Sequence, residues 1–166
     1  MKPLLALLAL SIPALASAAD APDEQFFYDA AESGAAELKD ANLAVQKSQD
    51  RAVKQFAEHM IQEHTEANDK LRTLAVEGKV DLPSHPSIKQ SAEHAKLNVL
   101  NGPTFDKQFV EGQIRAHRNA IELFQDEAAN GTNPKARDFA RDSLPMLQSH
   151  LKEARKLAAQ VGANVS

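Results

Sequence analysis

The segment VKQFAEHMIQEHTEANDKLRTLA, residues 53–75, sets Val53, Ala57, Met60, His64, Ala67, Leu71 and Leu74 at alternating steps of four and three. Such steps lay one residue per turn on a single stripe of an α-helix. The segment therefore predicts a long amphipathic helix with one histidine on its apolar side. Two later segments repeat the pattern: Val110, Ile114, His117, Ile121, Phe124 and Ala128 form one stripe, and Ser143, Leu147, His150, Ala154, Leu157 and Val161 form another. An imidazole on a buried stripe carries a cost of about 1–3 kcal/mol for each unmet hydrogen bond. The three rings must be satisfied by each other, by a carboxylate, by water or by a metal ion.

On either side of residues 53–75 the punctuation is helical as well. β-Branched and aromatic residues never gather in alternating runs, while Ala, Leu, Glu, Lys and Gln fill every long segment. A first helix opens at Pro22 with Asp23 and Glu24 in its first turn and runs to about Gln46, with Phe27, Ala31, Gly34, Leu38, Ala41 and Val45 as its expected stripe. Ser48, Gln49 and Asp50 supply a turn and an N-cap, and the second helix stops at Gly78. A loop to Pro86 leads into a short helix reaching about Leu100, with Ile88, Ala92, Ala95 and Val99 expected inward. The third long helix runs from near Thr104 to Asn130. The fourth opens at Asn133 and Pro134 and reaches about Val161, with a kink or a fresh start expected at Pro145. The expected fold is all-α: a ferritin-like four-helix bundle with a crossover carrying one short extra helix.

Residues 1–19 read as a cleaved secretory signal peptide. Lys2 precedes an apolar run from Leu4 to Ile12 and a small-residue exit at Ala16, Ser17 and Ala18, and the run is too short for a membrane span of about 20 residues. Residues 20–166 then form a single helical-bundle domain, with no transmembrane segment in the mature chain. The location implied is periplasmic or secreted. The full chain has 19 basic and 23 acidic residues and a net charge of −4, a balance that disfavours nucleic acid or an anionic membrane as partner. Without cysteine there is no disulfide and no thiolate ligand, so any metal must be held by nitrogen, oxygen or thioether.

If the second and third long helices run in the same direction, as the crossover implies, His64 and His117 lie at one level near mid-bundle. Glu37, on the stripe Ala30, Gly34, Glu37, Ala41 and Ala44, falls within a few residues of that level, and so does His150. One carboxylate and three imidazoles converge, each from a different helix. Such a set suits one first-row transition metal ion, whether zinc, copper, iron or manganese. It equally suits a self-satisfied polar cluster, or a switch driven by histidine protonation. Met60 offers a sulfur one turn before His64, with core filling as its plainer role. His59 and Glu63, four apart, read as a solvated pair. His85 falls in a loop and His94 beside the stripe of its short helix.

The segments AEL (residues 36–38), VKQFAEHMIQEHTEANDKLRTLA (53–75), LP (82–83), FDKQFVEGQIRAHRNAIELF (105–124) and LPMLQSHL (144–151) resemble the bacterial family filed as domain of unknown function 4142, sometimes labelled as outer membrane proteins. The resemblance spans essentially the whole chain. It implies a secreted or periplasmic ferritin-like bundle with no assigned activity, and Glu37, His64, His117 and His150 fall on positions that look like its recurring polar residues. Di-iron ferritin-like proteins carry a glutamate three residues before each ligand histidine. Here those positions hold Ile61, Ile114 and Leu147, so a two-metal oxidase is a minor alternative. A metal-binding or structural envelope protein, a mononuclear metalloenzyme and a partner-binding bundle acting through the short helix remain as readings. For the last, Phe26 and Phe109 are candidate exposed residues, with burial their more ordinary fate. No nucleophile triad, phosphate loop or nucleotide fingerprint is present, so an enzyme is the less favoured class.

Overall fold

The computed structural model describes residues 21–165; the leader assigned to residues 1–19 lies outside them. Five helices follow in order: α1 (Ala21–Lys47), α2 (Arg51–Gly78), α3 (Ile88–Asn98), α4 (Gly102–Asn130) and α5 (Pro134–Val161). No strand occurs among the described residues. Asp50 caps α2 by accepting from the Ala52 and Val53 N–H groups. Asn133 caps α5 in the same way from Lys135 and Ala136, with Pro134 in the first helical turn, where its missing N–H costs nothing. Ser87 and Gln90 close a reciprocal capping box on α3, which fixes its start two residues after the expected Pro86.

The aromatic contacts fix the helix directions. Phe56 and Phe109 lie 6.3 Å apart, so α2 and α4 begin at one end of the bundle. Phe26 lies 5.1 Å from Phe124 and 6.3 Å from Phe139, so α1 and α5 begin at the other end, where α4 finishes. The second and third long helices are thus parallel. α3 returns along the bundle beside α1, tied to it by His94 Nδ1 at 2.6 Å from Asp40 Oδ1 and by Lys47 Nζ donating to the Asn98 carbonyl. The result is an all-α four-helix bundle whose one long crossover carries the short extra helix. No helix among the described residues is long and apolar enough to cross a membrane.

Apolar packing falls into two clusters, one toward each end. Phe56, Met60, Phe105, Phe109 and Leu157 belong to the first, and Phe26, Phe27, Leu71, Phe124 and Leu147 to the second. Between them in sequence on all four long helices lie Glu37, His64, His117 and His150, every one of them buried. The core is therefore hydrocarbon at both ends with a polar layer at mid-length.

Several expectations need correcting. On α1 the inward stripe is Ala30, Gly34, Glu37, Ala41 and Ala44, rotated from the expected one, while Ala31, Leu38 and Val45 are only partly buried. Gly34, common to both stripes, leaves no room for a Cβ beside Asn68 Oδ1, so α1 lies close against α2 there. On α3 the expected stripe faces solvent, with Ile88 and Val99 exposed and Leu97 buried instead, because polar contacts from His94 and the helix ends dock this short element. α5 continues through Pro145 without a fresh start. The left-handed residue ending α2 is Lys79, not Gly78. Phe26 and Phe109 are both buried.

At the end where α1 and α5 begin, Asp23 accepts from the N–H groups of Thr132 and Asn133 and from the Thr132 hydroxyl, stapling α1 to the α4–α5 turn. Burial alone would raise the Asp23 carboxyl, but these donors outweigh it and hold it below its ordinary value. Glu127, folded over Gly131, is raised to about 7 by burial and by the Asp23 charge beside it. A carboxyl raised in the folded state withdraws stability as pH climbs from its unfolded value toward its folded one. The Glu127→Gln protein should match wild type below pH 4 and exceed it by about 1–3 kcal/mol at pH 8, as read by urea denaturation at both pH values. A difference independent of pH would refute this.

Candidate metal centre

Each of the four long helices delivers one residue to the polar layer because the strict four-and-three spacing on α2, α4 and α5 keeps His64, His117 and His150 on the stripes that face the bundle axis. The rings pack directly: centroids lie 5.1 Å apart for His64 and His150, 5.3 Å for His117 and His150, and 5.6 Å for His64 and His117. One ring nitrogen from each of the three lies within 4.8 Å of the others. Metal–imidazole bonds of about 2.0–2.1 Å place the nitrogens of a tetrahedral site about 3.4 Å apart.

The hydrogen-bonding state of these rings is unusual for a packed core. His117 Nδ1 lies 2.9 Å from the Gln113 carbonyl oxygen, which can only accept, so the proton sits on Nδ1 and Nε2 of the neutral ring keeps its lone pair. That Nε2 is buried with no hydrogen-bond partner, and the same holds for His64 Nε2 and His150 Nδ1. His64 Nδ1 is placed 3.1 Å from Glu37 Oε2, and Glu37 Oε1 is 3.8 Å from His117 Nδ1. Glu37 thus backs His64 through its Nδ1, lies near His117 without a hydrogen bond to it, and is not among the three residues whose ligand atoms converge.

Burial sets the protonation states. It raises Glu37 to about 8, the nearby Asp40 charge adding to the effect. Burial lowers His117 to about 4, against the pull of the Gln113 carbonyl, and holds His64 well below the ordinary histidine value with help from the neighbouring rings. His150 is lowered by burial too, opposed by Glu63. At neutral pH the layer is uncharged, and the Glu37–His64 contact is a polar contact between neutral groups rather than an ion pair. Neutral imidazole is the form that binds metals.

Two groups escaped the sequence reading. Glu63 pairs with His59 as its spacing predicts, but it also reaches across to buried His150, its Oε2 2.8 Å from His150 Nε2. His94, expected beside the stripe of its short helix, faces Asp40 on α1. His85 makes a local contact with the Pro86 carbonyl. Spacing along one helix carries no signal for contacts made between helices.

The chain matches the family described as "Domain of unknown function (DUF4142)" over residues 10–157. No curated protein matches it. Among solved structures it is similar to a DUF305 protein from Streptomyces coelicolor, described as a candidate secreted protein, with a TM-score of 0.77 and 18% identity over 90% of this chain and 98% of that one. It is also similar to a DUF305 fragment from Deinococcus radiodurans, with a TM-score of 0.75 and 18% identity over 84% and 96%. A third, CopM in its Cu(I)-bound form, has a TM-score of 0.70 and 16% identity over 83% and 96%. At these identities the likeness is one of fold.

Proposed function

As the chain belongs to the DUF4142 family, whose description assigns no activity, we propose that it is a metal-binding bundle of the bacterial envelope, holding one first-row transition-metal ion on His64, His117 and His150. The observation that carries this reading is the convergence of buried ring nitrogens that have no hydrogen-bond partner. A self-satisfied cluster would spend those lone pairs on each other's N–H groups. Behind the ligands, Glu37 orients His64 and the Gln113 carbonyl orients His117, as carboxylates and backbone carbonyls do behind metal-bound imidazoles.

Three neutral imidazoles are borderline donors, which favours zinc or copper over the manganese or iron that carboxylate-rich sites select. A protein of the same fold solved with Cu(I) supports copper in particular. Burial of all four side chains favours holding an ion over turning over a substrate, since catalysis at a metal needs an open position and access to it. The leader at residues 1–19 and the candidate secreted neighbour support placement outside the cytoplasm.

The test is titration of protein purified without an affinity tag. Wild type is expected to take up one equivalent of zinc(II) or copper, and His64→Ala to bind at least about 100-fold more weakly. Equal binding by the two proteins would overturn the reading.

A further inference from the structure

The His150 ring belongs to two sets of ligand atoms. Besides the buried trio, His59, Glu63 and His150 bring one ligand atom each within 4.8 Å of one another. Glu63 Oε2 is 2.8 Å from His150 Nε2 and 3.4 Å from His59 Nε2, and His59 Nδ1 is 3.3 Å from Glu153 Oε2. The His59 and His150 rings meet edge to face at 5.1 Å. The side chains of His59, Glu63 and Glu153 are 42%, 37% and 39% exposed, whereas that of His150 is fully buried. A continuous line of donor atoms therefore leads from the surface between α2 and α5 to the polar layer.

We propose that His59, Glu63 and Glu153 form an outer transition-metal site that receives the ion from solvent and passes it inward through His150, the ring common to both sets. The proposal rests on the reading of the inner trio as a metal site. A solvated pair is the usual fate of a histidine and glutamate four apart on a helix. Here the pair is joined by a glutamate from α5 and closes on a buried ring, so the cluster spans two helices and has an inside and an outside. Its donors suit the arriving ion: two imidazoles with carboxylate oxygens accept a partly hydrated zinc(II) or copper(II) and leave room for its waters. The inner trio offers nitrogen alone and no solvent, so the ion exchanges oxygen ligands for imidazoles as it moves. The two nitrogens of an imidazole point away from each other. With Nε2 turned to Glu63, His150 keeps Nδ1, buried and without a hydrogen bond, as its second donor. As the ion leaves Nε2 and binds Nδ1, the ring changes tautomer: Nδ1 gives up its proton and Nε2 takes one up beside the half-exposed Glu63, so the ring stays neutral and the charge of the ion is unchanged.

The experiment uses untagged protein and zinc(II) alone, with uptake followed by stopped-flow competition against a chromophoric chelator. The His59→Ala/Glu153→Gln protein is expected to hold zinc at equilibrium within about threefold of wild type and to load it about tenfold more slowly. An unchanged loading rate overturns the outer site and leaves the inner one standing. In a second arm, His64→Ala/His117→Ala protein is titrated with cobalt(II) and its histidine ring resonances are observed by NMR. Broadening centred on His59 and His150 supports the outer site; its absence at His59 overturns it. If this double variant binds zinc as tightly as wild type, the inner-site reading itself fails.

Discussion

Saturating the metal-free protein with zinc(II) is expected to raise its Tm by about 10 °C and to leave the Tm of the His117→Leu protein within about 2 °C of its own metal-free value. An ion that binds only the folded chain stabilises it by RT ln(1 + [L]/Kd), about 4 kcal/mol at a thousandfold excess over Kd. For a bundle of this size each kcal/mol moves Tm by roughly 2–4 °C. His117 is the informative position because it is fully buried and its Nδ1 is committed to the Gln113 carbonyl, which leaves Nε2 no role other than toward the layer. Leucine keeps the volume, so the variant tests ligation without opening a cavity. The quantity to compare is the rise on adding metal, measured by differential scanning calorimetry with and without chelator. An equal rise in both proteins would mean that the ion sits elsewhere or that the layer takes none.

What the sequence revealed and what it hid follow one physical line. On α2, α4 and α5 large side chains occupy one face and charges the other, so the stripes of Met60, Ile114 and Leu147 point inward and carry their histidines with them. α1 has alanine on several faces, and the hydrophobic contrast between the Leu38 stripe and the Glu37 stripe is small. Gly34 lies on both stripes, so its approach to Asn68 draws the two helices together without choosing between them. α3 is short and buries Leu97 alone among its apolar side chains, so capping and the His94–Asp40 contact outweigh its periodicity. Glu63 was hidden for a related reason. Its exposure is that of a surface residue, and its link to His150 depends on how α2 and α5 face each other, which helical spacing does not encode. Periodicity reports which side of a helix is dry; contacts between helices set which polar groups meet.

Replacing the whole layer should make the protein more stable and useless for metal. In the absence of an ion, His64 Nε2, His117 Nε2, His150 Nδ1 and Glu37 Oε1 are buried without hydrogen bonds. Each such atom withdraws about 1–3 kcal/mol from stability in a dry core. Apolar groups of similar volume remove the penalty from both sides of every contact at once, whereas removing one partner alone leaves the others stranded. The protein carrying Glu37→Met, His64→Leu, His117→Leu and His150→Leu is therefore expected to gain roughly 2–4 kcal/mol over metal-free wild type in urea denaturation, with the slope of the transition unchanged. It should show no Tm response to zinc or copper. The two apolar clusters on either side of the layer would merge into one continuous core, consistent with that gain. A loss of stability would show instead that the four groups satisfy one another and that the layer is structural. A gain accompanied by collapsed NMR dispersion would show that the layer serves to fix which helices face each other. A stable, well-dispersed variant without metal binding is the outcome a functional site requires, because a core that forgoes this much stability keeps its polar layer for what it binds.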